Sequence, residues 1–438
     1  MLSLIGLLGA LALLIVLAMR GVNLFVATPV CAALVCLTSG LPFLPDADAG
    51  VSNDLVTTYM GGFSGFIASW FFMFLFGSLF GKLMEDCGAA ESVARWVIAR
   101  LGTRHAALAV VVACVLLTYG GVSLFVVAFS VYPTALSLFR AANLPRRFIP
   151  AALGLGSITI TMTAAGSPEI QNWIPIKYLH TSPWAGWQAS LLAALVMAAL
   201  GHWWLSRMIH RANARGEVFE PREGDPVMER GDLPSPILSL IPLGVVLVLS
   251  FLLHERWHTA ALIVALFAGC VATAAIGWRR LREPGKALAD GSTGALIAIG
   301  NTAAVVGFGA VAKTAPAFAS TVEWITHLPG GGVVNAAVAV SLIAAMTGSA
   351  SGGQAIALPI IAPLFLGQGV SPDQLHRSVA LASGALDAMP HNGYIVTTIR
   401  AICGETHKAA YWPMAAMTVV VPTLGLIVCL IGFALGLD

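Results

Sequence analysis

Charge is what this sequence has least of. Only 10% of its 438 residues are charged, against 58% that are hydrophobic, whereas soluble domains carry roughly 25% charged residues. That shortage excludes an ordinary soluble protein, and a net charge of +2 gives no basic surface for a nucleic acid. Cysteine is scarce and unpaired in sequence. None of the seven (positions 31, 36, 87, 114, 270, 403 and 429) forms a C-x-x-C pair, and most fall in apolar runs, so free buried thiols and no metal site are expected. The chain lacks a G-x-x-x-x-G-K-[ST] phosphate loop, which argues against ATP hydrolysis and leaves an ion gradient as the energy source. It also lacks a hydrophilic stretch long enough for a soluble output domain, as a receptor would carry. The first apolar run has no basic n-region and no small-residue cleavage site, and reads as a retained helix.

What is present is hydrocarbon in span-sized blocks. Mean hydropathy is +0.86, and apolar runs near the roughly 20 residues of a spanning helix recur along the chain. The expectation is an all-α polytopic membrane protein with about ten spans, at 2–19, 22–41, 63–83, 148–168, 187–206, 236–253, 258–277, 291–312, 374–392 and 411–435, plus two re-entrant hairpins at 106–139 and 333–366. With both termini outside, 19 of the 23 Lys and Arg fall in the cytoplasm, and only Lys177, Arg256, Lys313 and Arg377 lie outside, as the positive-inside rule requires. The Asp46, Asp48 and Asp54 loop falls outside too. Trp173, Trp184, Trp187, Trp257 and Trp324 would form one aromatic belt, and Trp203, Trp204, Trp278 and Trp412 the other.

The halves follow one plan in opposite orientation: two helices, a third ending at a Lys, an amphipathic stretch, a hairpin, a broken helix and a last helix. Residues 1–208 form the first repeat (hairpin 106–139, broken helix 148–172), 209–235 a solvated cytoplasmic linker, and 236–438 the second repeat (hairpin 333–366, broken helix 374–393). Gly81-Lys82 with Trp96 parallels Ala312-Lys313 with Trp324. Thr118-Tyr-Gly-Gly-Val-Ser123 with Pro133 parallels Thr347-Gly-Ser-Ala-Ser-Gly-Gly353 with Pro359. Inverted repeats of this kind place a substrate site at the midplane between the halves.

Two segments carry chemistry where lipid tolerates none: Thr163-Ala-Ala-Gly-Ser-Pro-Glu-Ile-Gln-Asn172 and Ala385-Leu-Asp-Ala-Met-Pro-His-Asn392. Irregular backbone at membrane depth survives only where protein encloses it. The hairpins are long enough for two short helices each and too short for two full spans, so their tips would lie near the midplane. There Gly120, Gly121 and Ser123, and Gly348, Ser349, Ser351, Gly352 and Gly353, allow close backbone approach, and a helix starting at a tip aims its N–H groups at an anion such as a carboxylate. The plainer alternative is that these glycines only let helices pack. Thr163, Ser167, Gln171, Asn172 and Asn392 offer hydrogen bonds to a substrate. Glu169, Asp387 and His391 are ionisable residues at membrane depth and hence candidates for a coupling proton; the alternative for the two carboxylates is that they satisfy freed backbone N–H groups.

One motif points to another class. His254-Glu-Arg-Trp-His258 matches H-E-x-x-H, which binds zinc when both His share a helix face. Here it joins two spans at an interface and no third ligand suggests itself.

The stretches GKLMEDCGAAESVARWVIARLG (81–102), LTYGGVSLFVVAFSVYP (117–133), AAGSPEIQNWIPIKYLHTSP (164–183) and GALDAMPHNGYIVTTIRAICGETHKAAY (384–411) resemble the GntP family of gluconate-type permeases, within the ion-transporter superfamily, over nearly the whole chain. The resemblance implies no enzyme and no cofactor, but proton-linked uptake of a small carboxylate across a bacterial inner membrane, a homodimer, and elevator-type movement of hairpins and broken helices against a scaffold. By that analogy Gly121, Ser123, Ser167, Asn172, Ser349, Ser351, Asp387, His391 and Asn392 fall in site-forming segments. Sugar-acid members of the family carry a Glu in the first hairpin; here the place reads Phe125-Val-Val-Ala, so a short hydroxy acid such as 3-hydroxybutyrate is favoured over gluconate. The alternatives are a gluconate or citrate symporter, or the same machine coupled to Na⁺.

Overall fold

The computed structural model describes residues 2–20, 22–45, 53–223, 225, 232–318, 320, 324, 330–390 and 392–438. His391, Asp46 and Asp48 therefore lie outside the described residues. The chain is all-α, with no strand among the described residues. Eight described helices are long and apolar enough to cross a membrane, or nine if the pair Ala89–Leu101 and Thr103–Tyr119, bent by 104°, counts as one span.

The first four helices are α1 (Leu2–Met19), α2 (Leu24–Ser39), α3 (Leu55–Asp86) and α4 (Ala89–Leu101). Side-chain caps fix two of their starts. Asn23 accepts from the Phe25 amide at 2.9 Å, and Asp54 accepts from the Thr57 amide at 2.8 Å, each satisfying a donor that the first turn leaves free. The first hairpin is α5 (Ala106–Tyr119) and α6 (Leu124–Ala141), and it turns at Gly121, whose φ of +93° suits a residue without a Cβ. The first broken helix is α7 (Ile149–Gly154), continued as a π-helix over Leu155–Ile160, then irregular backbone, then α8 (Ile174–Leu179). The half closes with α9 (Trp187–Ala214).

The second half contains α10 (Pro236–Trp257), α11 (Thr259–Gly277), α12 (Pro284–Thr314), a hairpin of α13 (Gly331–Thr347) and α14 (Ala350–Gly367), then α15 (Pro372–Ala385), a break, and α16 (Gly393–Val396) running into a π-helix over Thr397–Ile402. The last span is α17 (His407–Ala415), a π-turn over Ala416–Val420, and α18 (Val421–Ala434). Single π-turns inside α-helices are common at functional sites, and two of these three flank the breaks.

Packing sorts the helices into two bodies. α3 lies along α12, α1 on α2, α10 on α11, and α2 on α12. The hairpins, broken helices and last helices form the other body, in which α9 packs on α18, α13 on α15, and α5 on the first π-helix. α4 bridges them, touching α5, α6 and α10. Large apolar side chains such as Leu2, Ile237, Leu252 and Phe267 stay exposed on the outside, where lipid is their solvent.

Three expectations need correction, and the H-E-x-x-H motif stands where it was expected, at a junction of two helices. The second limb of each hairpin is 18 residues long, enough by length to approach a full span; both limbs are largely enclosed by protein, so bilayer thickness does not set their length. Arg377 is no exterior flanking charge and Trp173 no belt residue, because both are fully buried. The H-E-x-x-H motif is broken: α10 ends at Trp257, and His258 turns out of it with φ +46°, so the two His share no helix face. Finally, α9 carries the chain to Ala214, past the expected linker boundary at 209, and the described residues after it are mostly exposed but anchored by ion pairs. Arg147 holds Glu217 through two bonds of 2.8 and 3.0 Å. Arg146 pairs with Asp225 at 2.9 Å and with Glu405 at 3.1 Å, while Arg222 reaches Glu405 at 3.1 Å. Phe219 is buried beneath the Arg140 and Arg146 guanidinium groups.

This cluster generates a pH prediction. Burial opposes the charge on Asp225, but the Arg222 backbone amide and the Arg146 and Arg140 guanidinium groups outweigh it and hold the carboxyl below its ordinary value. A depressed carboxyl stabilises the dock fully above the unfolded value of about 3.9, and that contribution disappears as pH falls through the folded value. Asp225→Asn leaves Arg146 buried without this partner and is expected to weaken the dock by on the order of 3 kcal/mol. Limited proteolysis of the 215–235 segment at neutral pH checks this: the variant is cut faster than wild type, and equal rates contradict the assignment.

Candidate functional site

The site begins with a hydrogen-bond problem. Residues 161–169 leave the helix, and at membrane depth their carbonyl and amide groups have only protein to bond. Tyr119 donates to the Ala165 carbonyl at 2.7 Å, and the Ala165 amide donates to Ser190 Oγ at 2.9 Å. The Gly166 amide donates to the Pro183 carbonyl at 2.9 Å. Asn172 Nδ2 donates to the carbonyls of Ser167 and Pro183, each at 3.0 Å, and Trp173 Nε1 also donates to Ser167. Gly166 sits with φ +75° under Trp184, whose ring lies 2.3 Å from where a Cβ would stand; no other residue fits there.

Arg377 completes the set from the other half. Its Nε donates to the Ala185 carbonyl at 2.9 Å and one terminal nitrogen donates to Pro183 at 3.1 Å. The other donates to Thr163 at 2.6 Å and to Asn172 Oδ1 at 2.8 Å. A planar guanidinium suits this role because it presents five donors in a fixed fork. No carboxylate stands within ion-pair distance of it among the described residues, so its charge is a fixed positive element beside the first break.

The second break solves the same problem in the same way. Asn392 Nδ2 donates to the carbonyl five residues earlier, that of Asp387, at 3.2 Å, as Asn172 does to Ser167. It also donates to the Gly348 carbonyl at the second hairpin tip at 3.0 Å, and its Oδ1 accepts from the Ile395 amide at 3.0 Å. Asp387 is buried, with the backbone amide of Ala350, the first residue of α14, against its carboxylate. The helix start assigned to a substrate anion thus already faces the protein's own carboxylate.

Contacts at the tips link all four segments. Gly121 lies against Pro168 of the first break and Val246 of α10. Phe125 packs edge-on against Tyr394, which follows the second break, with ring centroids 5.4 Å apart. Tyr394 in turn meets Ser157 of the first π-helix at 3.0 Å. From the second tip, Gln354 donates to the Gln171 carbonyl at 2.9 Å and to Ser383 Oγ at 2.8 Å.

The structure gives the expected site residues different roles. Asn172 and Asn392 are saturated by backbone and Arg377. Ser349 Oγ caps α14 by accepting from the Gly352 amide at 3.1 Å, and Ser167 Oγ accepts from the Glu169 amide at 3.3 Å. Thr163 serves through its carbonyl. Ser351 is buried one residue into α14, and Ser123 begins α6 half-buried. Gly352 lies against Val305 of α12, where the two bodies meet. Glu169 is half-buried in the first break, and neither it nor Asp387 is in an ion pair among the described residues. Val126, in the Phe125-Val-Val-Ala run that stands where sugar-acid members carry a Glu, packs on Gly81 of α3. Arg377, Gln354, Tyr119 and Ser190 were missed. The signal for Gln354 is a lone amide at the head of the apolar run Ala355–Leu366.

Comparison with known proteins agrees with this architecture. A family profile described as GntP family permease matches residues 2–435. The chain is 33% identical to the uncharacterized transporter YxjC of Bacillus subtilis, over 95% of this chain and 96% of that protein. It is 27% identical to a high-affinity gluconate transporter of Escherichia coli over 32% of this chain and 30% of that one. Among solved structures, the YdaH transporter of Alcanivorax borkumensis, reported to have an unusual topology, superposes with a TM-score of 0.59 at 16% identity, covering 97% of this chain and 99% of that chain; this likeness is one of fold.

Removing the Arg377 fork strands several buried carbonyls, each costing roughly 1–3 kcal/mol. Arg377→Met is therefore expected to lower the thermal unfolding midpoint of detergent-purified protein sharply. Arg377→Lys should rescue little, because an ammonium cannot span the same carbonyls. Full rescue by Lys would show that charge alone matters.

Proposed function

The chain belongs to the GntP permease family, and from that premise we propose that it is a proton-coupled symporter taking a small hydroxycarboxylate, such as 3-hydroxybutyrate, across a bacterial plasma membrane. It is a multi-pass transporter, not an enzyme. The observation that carries the reading is the meeting of two broken helices and two hairpin tips around buried polar groups, the arrangement from which transporters build a midplane site. Gly121, Ser123, Ser351 and Gly352 supply the tip surfaces nearest a substrate, and Arg377 biases the first break toward an anion. The limb from Leu124 to Ala128 offers no ionisable or amide group to a polyhydroxylated sugar acid.

Asp387 is the group assigned to the coupling proton, with Glu169 second. Asp387 is buried, and among the described residues it is in no ion pair and its Oδ1 has no donor, so a proton there removes a charge that the bilayer interior makes costly. The two packed bodies support an elevator-type movement, with α1 to α3 and α10 to α12 as scaffold and the hairpins, broken helices and last helices as the moving part. The parallel element order supports an inverted repeat divided near 215–235, and the family resemblance supports a homodimer.

Uptake of labelled 3-hydroxybutyrate into proteoliposomes under an inward proton gradient, without sodium, tests the reading. Wild type should accumulate the acid in a protonophore-sensitive manner, and Asp387→Asn should insert but not accumulate it. Uptake that waits for sodium would replace the coupling ion, and normal accumulation by Asp387→Asn would remove that residue from the coupling step. The charge distribution supports both termini outside. An alkaline phosphatase fused to the C-terminus should therefore be active, and an inactive phosphatase with a fluorescent GFP fusion would reverse the orientation.

A further inference from the structure

Gln354 holds an acceptor that nothing among the described residues satisfies. Its side chain is fully buried, and both hydrogens on Nε2 are committed, one to the Gln171 carbonyl and one to Ser383 Oγ. The amide cannot be turned over. A backbone carbonyl only accepts, and the Ser383 hydroxyl spends its own hydrogen on the Ala380 carbonyl at 2.8 Å, so both neighbours require the NH₂ group. Gln354 Oε1 is therefore an acceptor in fact, and it has no donor. Gln171, joined to it through that backbone bond, carries a second buried side-chain amide whose Oε1 has no partner among the described residues.

The location gives these atoms meaning. Gln354 lies one helical turn after Ala350, the residue whose amide faces Asp387, and it spans from the first break to the last turn of α15, which leads into the second break. A buried amide oxygen left bare is costly, and a fold keeps one where something else brings the donor.

We propose that Gln354, with Gln171 beside it, is the specificity residue of this transporter, accepting a hydrogen bond from the hydroxyl of a hydroxycarboxylate substrate. The inference rests on the transport reading above and deepens it: the substrate class is a carboxylate that bears an O–H group, and the matching acid without the hydroxyl leaves the Gln354 oxygen bare. Sites built to bond a hydroxyl discriminate strongly against analogues that lack it.

The test is competition between 3-hydroxybutyrate and butyrate for uptake by wild-type protein, Gln354→Met and Gln171→Met in proteoliposomes. Wild type should prefer the hydroxy acid by about tenfold or more. Gln354→Met, similar in shape but without an acceptor, should bring the two acids within about twofold while still moving butyrate, which also shows that the variant is folded. If Gln354→Met moves neither acid, Gln171→Met decides by the same ratio. A wild type that takes both acids equally, or variants that keep the wild-type ratio, overturns the inference while the transport reading stands. A coupling cation held by these oxygens would instead make uptake of both acids rise and fall together with sodium, and that too overturns it. A wild type that accumulates neither acid overturns the transport reading and the inference with it.

Discussion

Backbone that leaves a helix inside a bilayer has no water to bond, and everything at the centre of this protein follows from that constraint. The first break is tolerated because Arg377, Asn172, Tyr119, Ser190 and Trp173 take up its carbonyl and amide groups. Arg377 comes from α15, in the other half of the chain, so the first break cannot be completed until the second half has docked. The two Asn side chains do the same job in the two halves, each reaching back five residues to close its own loop. Side chains of the type that could hold a substrate are thus committed to the backbone of the breaks, and the groups left over, chiefly amide oxygens and a carboxylate, are those proposed to meet a ligand or a proton.

The same economy of contacts explains the two bodies. Small residues set their boundary: Gly81 against Val126, Gly309 against Ile356, and Gly352 against Val305 leave smooth, closely approached surfaces, without ion pairs among the described residues across these three contacts. Ion pairs gather elsewhere, at the ends of α6, α7 and the second π-helix, where the 217–225 segment ties the first hairpin, the first broken helix and Glu405 together. A movement of one body over the other, as proposed, would carry that cluster along intact and slide along the apolar seam.

Much of this was legible in the sequence. Helix extents follow from apolar run length, and the breaks from Pro168 and Pro390 beside polar residues, because lipid leaves few other ways to place such groups. The hairpins showed as glycine clusters at Gly120 and Gly348. Partners distant in sequence did not show. Arg377 follows Pro372-Asp373 near the end of an apolar run and reads as a loop charge; its burial depends on carbonyls about 200 positions away. Arg146 and Arg147 look like flanking positive charges, and only the fold brings Asp225 and Glu217 to them. Trp173 resembles an interfacial anchor until its indole is seen bonding Ser167.

The central claim is that the substrate sits among the hairpin tips and the two breaks. All seven native cysteines are free and buried, and in a background with each replaced, Ser351→Cys places one thiol beside the second tip. The measurement is its rate of labelling by a small membrane-permeant maleimide, with and without 3-hydroxybutyrate. The account predicts slower labelling in the presence of the acid, with a control thiol at exposed Trp412 unaffected. Equal labelling at position 351 in both conditions, by protein that transports the acid, would place the substrate elsewhere and contradict it.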